Sequence, residues 1–152
     1  MKYYFFLEDM SALDKMIYEQ EDRVTQLAKE QGEAASQSTE NFGHDDACQE
    51  AVDHERRLTI GRLRELRKIV SNSIVITQQE VLCHGALDSV RMGATVELSD
   101  GRVLRIGSFM VLAKSPVENI SYRTPLARAL LNKKEGDEVE FNGQSFKIVK
   151  IY

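Results

Sequence analysis

The sequence has few of the residues that mark secreted, disulfide-bonded or membrane proteins. Its 152 residues include two cysteines, two prolines and no tryptophan. Cys48 and Cys83 match no zinc or redox spacing, so we expect two reduced thiols. No run approaches the roughly 20 apolar residues that cross a bilayer, and the apolar start Met1–Leu7 is too short for a secretory signal. The composition therefore predicts a cytoplasmic protein without a membrane segment.

Lysine and arginine are missing from a long interval in the first half of the chain. Between Lys29 and Arg56 every Asp, Glu, Lys or Arg is acidic, namely Glu30, Glu33, Glu40, Asp45, Asp46, Glu50, Asp53 and Glu55. A basic run follows at once, formed by Arg56, Arg57, Arg62, Arg64, Arg67 and Lys68. The net charge of −4 gives no global reason to expect nucleic-acid binding. The charge nevertheless changes sign near Arg56, so an acidic stretch and a basic stretch lie next to each other in the sequence.

The first half has the composition and periodicity of helices. Residues 10–72 contain no proline and are rich in good helix formers. Two narrow apolar stripes recur at helical spacing, through Leu13, Ile17, Val24, Leu27 and Ala28 and then through Ala47, Ala51, Leu58, Leu63, Leu66 and Val70. Ser11 with Asp14 predicts an N-terminal cap, and the stretch Gly32–Gly43 predicts a loop. Two such stripes joined by a loop predict an antiparallel helical hairpin that ends at Ser71 and Asn72.

The second half has the alternation and turn residues of strands. Thr95–Leu98 and Val103–Ile106 flank an Asp-Gly turn, and Glu138–Phe141 and Ser145–Val149 flank an Asn-Gly turn. Both patterns predict β-hairpins, and Phe109–Leu112 predicts a further strand. All these strands are expected to form one antiparallel sheet.

One short helix is predicted between the two hairpins. Thr124 suits the N-cap position, and Pro125 suits the first helical position. A helical half followed by a sheet half predicts an α+β fold. We expect an N-terminal helical hairpin domain over 1–77 and a C-terminal β domain over 78–152.

The acidic interval allows two interpretations. Asp45 and Asp46 either cap the second helix and meet the positive end of its dipole, or form a projecting tip that binds a hard cation. Mg²⁺ suits such a tip, because proteins often hold it by only one or two carboxylates. Paired aspartates are common, so the residues alone leave both interpretations open.

The basic run also allows two interpretations. It is either a solvated helix face with ion pairs across the hairpin, or a stripe that faces phosphates or an acidic partner. Acids suited to such pairs are Glu19, Glu21 and Asp22. The chain has no Gly-rich phosphate loop and no recognisable nucleophile motif, which predicts no active site of its own.

Three segments carry a recognisable pattern, namely 61–76, Met92–Val96, and Thr124–Val139, which reads TPLARALLNKKEGDEV. They resemble the Gre (GreA/GreB) family of bacterial transcription elongation factors. The last segment resembles the C-terminal signature of that family, Met92–Val96 is similar to its first strand, and 61–76 is similar to the end of its second coiled-coil helix. The resemblance covers nearly the whole chain. It implies an FKBP-like second domain that binds a rim of RNA polymerase, and a helical hairpin that enters the polymerase secondary channel.

The resemblance also implies a mechanism and a set of residues. Carboxylates at the hairpin tip help to hold a Mg²⁺ shared with the polymerase active site, where water cuts the 3′ end of backtracked nascent RNA. The tip acids and metal ligands are then Asp45 and Asp46, with Glu40 as a further candidate. The polymerase-binding residues are Tyr122, Arg123, Thr124 and Pro125, and the basic residues facing RNA or the channel are Arg56, Arg57, Arg62 and Arg64. We expect a monomer that binds no metal tightly when free.

The chain departs from the family at the tip. Cleavage-stimulating members usually carry Asp-x-x-Glu-Asn there, and an ungapped alignment places Phe42, Asp45 and Asp46 at the three named positions. Two functions follow, namely stimulation of transcript cleavage, or occupation of the channel that modulates or inhibits transcription without cleavage. A prolyl isomerase or chaperone-like module is a third, suggested by fold analogy alone.

Overall fold

The structure is a computed structural model. It describes residues 1–37, 46–77 and 89–152, with the backbone alone for 34–37 and 46–48. None of the helices within these ranges has the length and apolar character that crossing a bilayer requires.

After a short N-terminal strand, the described elements follow the predicted order of helices first and sheet second. They are β1 (Tyr3–Phe6), α1 (Leu7–Gln37), α2 (Asp46–Ser71), β2 (Ser73–Ile76), β3 (Thr95–Leu98), β4 (Val103–Gly107), β5 (Glu118–Ser121), α3 (Pro125–Leu130), β6 (Glu138–Phe141) and β7 (Gln144–Ile151). The α+β class is therefore confirmed. Contacts divide the chain into a helical unit, Leu13–Asn72, and a sheet unit formed by Met1–Ala12 and Ser73–Tyr152.

The edges of these units differ from the predicted segments 1–77 and 78–152. Strand β1 pairs in parallel with β2, from Tyr3 opposite Ser73 to Phe6 opposite Ile76. Phe5 is fully buried and Phe6 is nearly so. Because burial of these rings removes apolar surface from water, the N-terminal residues join the sheet unit.

The helical unit is an antiparallel pair. Arg67 Nη2 lies 2.6 Å from Glu21 Oε1, and Arg56 Nη1 donates to Gln31 Oε1 at 2.8 Å. The partner number on α2 falls as the number on α1 rises, which requires opposite helix directions. The predicted helical hairpin is confirmed, with its apolar stripes supplying the buried residues Leu13, Leu27 and Leu63.

The helix ends differ in part from those predicted. Helix α1 begins at Leu7, and the Ser11 hydroxyl donates to the Leu7 carbonyl at 2.9 Å within the helix, so the predicted cap at Ser11 is wrong. Acidic Glu8 and Asp9 in the first turn favour this earlier start. The helix continues to Gln37, past the predicted start of the loop. The predicted end of the second helix is confirmed, because α2 ends at Ser71.

Leu27→Ala tests the packing of the helical unit. Leu27 is fully buried, so we expect its truncation to lower the free energy of unfolding by about 2–5 kcal/mol. Urea denaturation followed by circular dichroism measures the change. Leu58→Ala is the matched control, because Leu58 lies on α2 and is 51% exposed. We expect the control to cost about 0.5 kcal/mol or less, and equal losses would contradict the packing described.

The sheet unit contains a five-stranded sheet in the order β5-β4-β3-β7-β6. Both predicted hairpins are confirmed, because β3 pairs antiparallel with β4, and β6 pairs antiparallel with β7. Alternate strand residues and one face of α3 form the core. This core includes Val96, Leu98, Leu104, Ile106, Leu126, Leu130, Val139, Phe146 and Ile148.

Two predictions for the sheet are wrong. Phe109–Leu112 forms no strand, and the sheet is not wholly antiparallel, because β5 pairs in parallel with β4. The chain folds back after β4, where a Cβ on Gly107 would lie 3.1 Å from Val111 Cγ2. Glycine permits this close approach of the segment that follows β4.

Candidate functional site

The predicted tip acids fall largely outside the described residues. Glu40, Phe42 and Asp45 belong to the undescribed range 38–45, and Asp46 is described only as the first backbone residue of α2. Within the side chains that are described, no group of three His, Cys, Asp or Glu residues could hold a metal ion. Metal binding by the tip therefore stays a prediction.

The two helices that bear acids of the acidic interval are joined by an arginine. Arg23 Nη2 lies 2.8 Å from Glu55 Oε1, and its Nη1 lies 3.4 Å from Glu30 Oε1. The hydrogen bond to Glu55, together with the charges of both carboxylates, holds the pKa of Arg23 above its usual range. One cation on α1 therefore links the two helices through the first and the last acid of the acidic interval.

The four predicted basic residues have different surroundings. Arg56 is half-buried, donates to Gln31, and has an Nε atom with no partner among the described residues. Arg57 forms an ion pair of 2.6 Å with Asp53 one turn earlier. Arg62 and Arg64 are exposed, and neither forms a hydrogen bond, an ion pair or a ring contact with the side chains that the structure describes. These last two are therefore the members best placed to meet an external anion.

The ion pairing across the hairpin that was predicted for the basic run occurs at one of its later members. Arg67 pairs with Glu21, one of the three acids named for this role. Asp22 instead accepts a hydrogen bond from Gln26, and Glu19 lies 4.0 Å from Lys15, both on α1. The pairing thus engages the later part of the basic run and leaves Arg62 and Arg64 available.

The pre-helical segment, Tyr122–Pro125, lies between β5 and α3. The Thr124 hydroxyl accepts a hydrogen bond from the Ala127 N–H at 3.3 Å and donates to the Ser121 carbonyl at 2.9 Å. Thr124 is therefore the N-cap of α3, and Pro125 occupies its first turn, as predicted. The cap fixes the point at which the segment turns into the helix.

Arg123 is held against an aromatic ring. Its guanidinium carbon lies 5.4 Å from the centroid of Phe109, within the range of a cation–π contact. The Arg123 N–H donates to the Ser121 hydroxyl oxygen at 3.3 Å, and that hydroxyl donates to the Phe109 carbonyl at 2.8 Å. Ring and backbone contacts therefore both restrict the position of this arginine.

The N-terminal strand packs beside the same segment. The ring of Tyr4 meets Tyr122 edge-on at a centroid distance of 6.1 Å. The ring of Tyr3 lies 4.4 Å from Phe109, and Arg123 Nη1 lies 3.9 Å from the sulfur of Met1. Arginine and tyrosine are enriched at protein–protein interfaces. The arrangement is suited to binding another protein.

Comparison with known proteins decides the family. Residues 85–152 match the family model described as "Transcription elongation factor, GreA/GreB, C-term". Transcription elongation factor GreA of Paracoccus denitrificans is 32% identical over 120 residues, which cover 71% of this chain and 74% of that protein. The chain belongs to the GreA/GreB family. The GreA of Azorhizobium caulinodans is similar as well, with 30% identity over 125 residues covering 74% of this chain and 77% of the relative.

Solved structures also resemble this GreA/GreB chain. The crystal structure of GreA factor homolog 1 (Gfh1) of Thermus thermophilus is 20% identical, with a TM-score of 0.46. The match covers 100% of this chain and 99% of that one.

Sequence patterns missed several residues that surround the pre-helical segment of this GreA/GreB chain. Phe109 was assigned to a strand, and Tyr3, Tyr4 and Asp9 were assigned no role. The available signals were the apolar start of the chain and an acidic residue in the first turn after it. Neither signal indicates that Asp9 contacts Ser108, about 100 residues later in the chain, because only the folded chain brings the two together.

Proposed function

We propose that this GreA/GreB protein binds RNA polymerase, enters its secondary channel with the helical hairpin, and stimulates cleavage of backtracked RNA. The observation that carries the proposal is the antiparallel helix pair, whose connection in sequence bears the acids Glu40, Asp45 and Asp46. We propose that the protein acts in the cytoplasm as a monomer. Its partners are the polymerase and the 3′ end of the nascent RNA.

The helices supply reach and stiffness. Helix α2 has 26 residues, which corresponds to about 40 Å at roughly 1.5 Å per residue. A helix pair of this length carries the acidic connection to a place that a compact domain cannot enter. The polymerase owns the catalytic chemistry, so the contribution of this chain is the positioning of carboxylates, and no active site of its own is needed.

Asp45 and Asp46 are the residues that would hold Mg²⁺ together with ligands of the polymerase and the RNA. Their carboxylate oxygens fit a hard cation that is commonly bound by one or two protein carboxylates. When bound, the ion stabilises the charge that develops during an in-line displacement at phosphorus. Two carboxylates alone are a weak site, so the free protein is not expected to hold the metal tightly.

The pre-helical segment is the proposed docking site on the polymerase. Arg123 is restrained by Phe109 and Ser121, so little side-chain entropy is lost when it binds. Its guanidinium suits a carboxylate on the partner, because it can donate two parallel hydrogen bonds. Pro125 is exposed beside it and adds a rigid apolar contact.

Arg62→Gln/Arg64→Gln tests the proposed contact between the basic run on α2 and the channel. Each ionic contact with the partner releases counterions on binding. Because the double variant loses two such contacts, we expect the magnitude of the slope of log affinity against log salt concentration to fall by about 1–2. Competition binding to backtracked complexes at several salt concentrations measures this slope. Arg67→Gln is the control, because Arg67 is already paired with Glu21. An unchanged slope in the double variant would place these arginines away from the polymerase and its RNA.

A second function is favoured by Phe42, which replaces the first acid of the family pattern. In this alternative the chain occupies the channel and modulates or inhibits transcription without cleavage. Backtracked complexes incubated with the wild-type protein separate the two. Shortened RNA supports cleavage stimulation, whereas competition for the channel with intact RNA supports the alternative. Failure to bind polymerase refutes both.

A further inference from the structure

We propose that Asp9 is a positioning residue for docking on RNA polymerase. It would act through the Phe109 loop, residues Ser108–Ala113, on Arg123 of the pre-helical segment. This inference rests on the proposed function of that segment. All the residues involved belong to the sheet unit.

Asp9 is a buried carboxylate with a full set of donors. It is 4% exposed. Its Oδ1 accepts the N–H groups of Leu112 and Ala113, each at 2.8 Å, and its Oδ2 accepts the hydroxyl proton of Ser108. The Ser108 oxygen in turn accepts the Phe6 N–H at 2.9 Å. A buried charge without such donors would be very costly, so the loop and the carboxylate fix each other.

These bonds hold both ends of the Phe109 loop. Between the two ends, Phe109 donates its N–H to the Tyr4 carbonyl at 2.9 Å and accepts the Ser121 hydroxyl at 2.8 Å. The Phe109 ring lies under the guanidinium of Arg123. A continuous series of contacts therefore runs from the Asp9 carboxylate to the arginine proposed to meet the polymerase.

The expected consequence of losing Asp9 follows from the strength of these bonds. Hydrogen bonds from amides to a carboxylate are roughly twice as strong as those between neutral groups. Without the charge, the ends of the loop are held less firmly, and the Phe109 ring no longer keeps Arg123 in one position. Because Asp9 is buried, it cannot contact the polymerase itself. Its effect on binding must therefore pass through the loop.

A double-mutant cycle between Asp9→Asn and Arg123→Ala tests this coupling. Asparagine keeps the size of the side chain and one carbonyl oxygen, but it loses the charge and turns an amide group toward Ser108. We expect Asp9→Asn to weaken polymerase binding about 5- to 10-fold in the wild-type background and less than about 2-fold beside Arg123→Ala, because the two residues act as one unit. Competition binding to polymerase gives all four affinities.

Controls separate positioning from a general loss of stability. Ile148→Val lowers stability through the core of the same unit, and Ile148 belongs to neither the loop nor the segment. We expect it to leave polymerase affinity unchanged at a temperature where circular dichroism finds it folded. Ser108→Ala removes one hydrogen bond to Asp9 and is a milder change to the Phe109 loop. We expect its effect on affinity to be non-additive with that of Arg123→Ala in the same way. It replaces Asp9→Asn in the double-mutant cycle if Asp9→Asn does not fold.

The possible failures are distinguishable. If Arg123→Ala alone leaves affinity unchanged, the docking proposal is refuted, and the role of Asp9 falls with it. If Arg123→Ala weakens binding but the loop variants have no effect, only the positioning role is overturned. The same conclusion holds if the loop variants weaken binding equally in both backgrounds.

Discussion

Asp45→Asn/Asp46→Asn is expected to lower the rate of stimulated RNA cleavage about 100-fold or more. Changes to groups that merely support metal ligands cost about 10–100-fold, so loss of the proposed ligand charges should cost at least the upper value. The measurement is the rate of RNA shortening in backtracked complexes at saturating protein. Binding to polymerase should be retained, because the tip is proposed to act on the chemistry rather than on docking.

The control for this prediction removes two carboxylates from helix α2, away from the tip. Asp53→Asn/Glu65→Gln makes the same change in charge on α2, and Asp53 is engaged with Arg57. We expect the control to cleave within about 2-fold of wild type, as substitutions on a solvated surface usually have small effects. Wild-type cleavage by the tip variant, or equal loss in the control, would contradict the role proposed for the tip.

Arg123→Ala is expected to weaken binding to RNA polymerase about 30-fold or more. Hot-spot residues of interfaces, among which arginine is enriched, cost about 2 kcal/mol or more when truncated, and each 1.4 kcal/mol corresponds to about tenfold in affinity. The concentration needed for half-maximal cleavage should rise by the same factor. The rate at saturation should stay near that of wild type, because the tip acids are intact.

The matched control is an arginine in a similar environment elsewhere on the sheet unit. Arg102 lies 4.9 Å from the ring centroid of Phe146 and forms an ion pair of 2.6 Å with Asp100. Arg102→Ala therefore also removes a guanidinium from an aromatic ring. We expect its affinity for polymerase to be unchanged. If both variants weaken binding equally, the effect reports a general loss of charge or stability rather than a docking site at the pre-helical segment.

Much of the fold could be predicted because its signals are local. Apolar residues at helical spacing predicted α1 and α2, and their pairing followed from the narrowness of each stripe. Asn142 and Gly143 fix a tight turn between β6 and β7, and both have positive φ values. Thr124 and Pro125 predicted the start of α3. In each case the residues that carry the signal lie next to the element that they determine.

The errors in the sheet occurred where an element depends on residues far away in the chain. Strand β1 pairs with β2 about 70 residues later, and no local pattern specifies that register. Strand β5 pairs in parallel with β4. The apolar residues that predicted a strand instead form the Phe109 loop between these two strands, and Gly107 allows the close approach of Val111. Apolar periodicity indicates which side chains become buried, but not which distant segment covers them.

The sequence by itself determined the helical pair, the two β-hairpins, the capped short helix, the acidic interval and the resemblance to the GreA/GreB family. Only the tertiary structure decided that the N-terminal strand packs beside the pre-helical segment, that Arg56 donates to Gln31, and that Asp9 holds the loop beneath Arg123. The physical reason is the separation in sequence between the residues that interact. Turns, caps and helix faces depend on neighbouring residues, whereas a buried carboxylate finds its donors only when the folded chain brings them within hydrogen-bond distance.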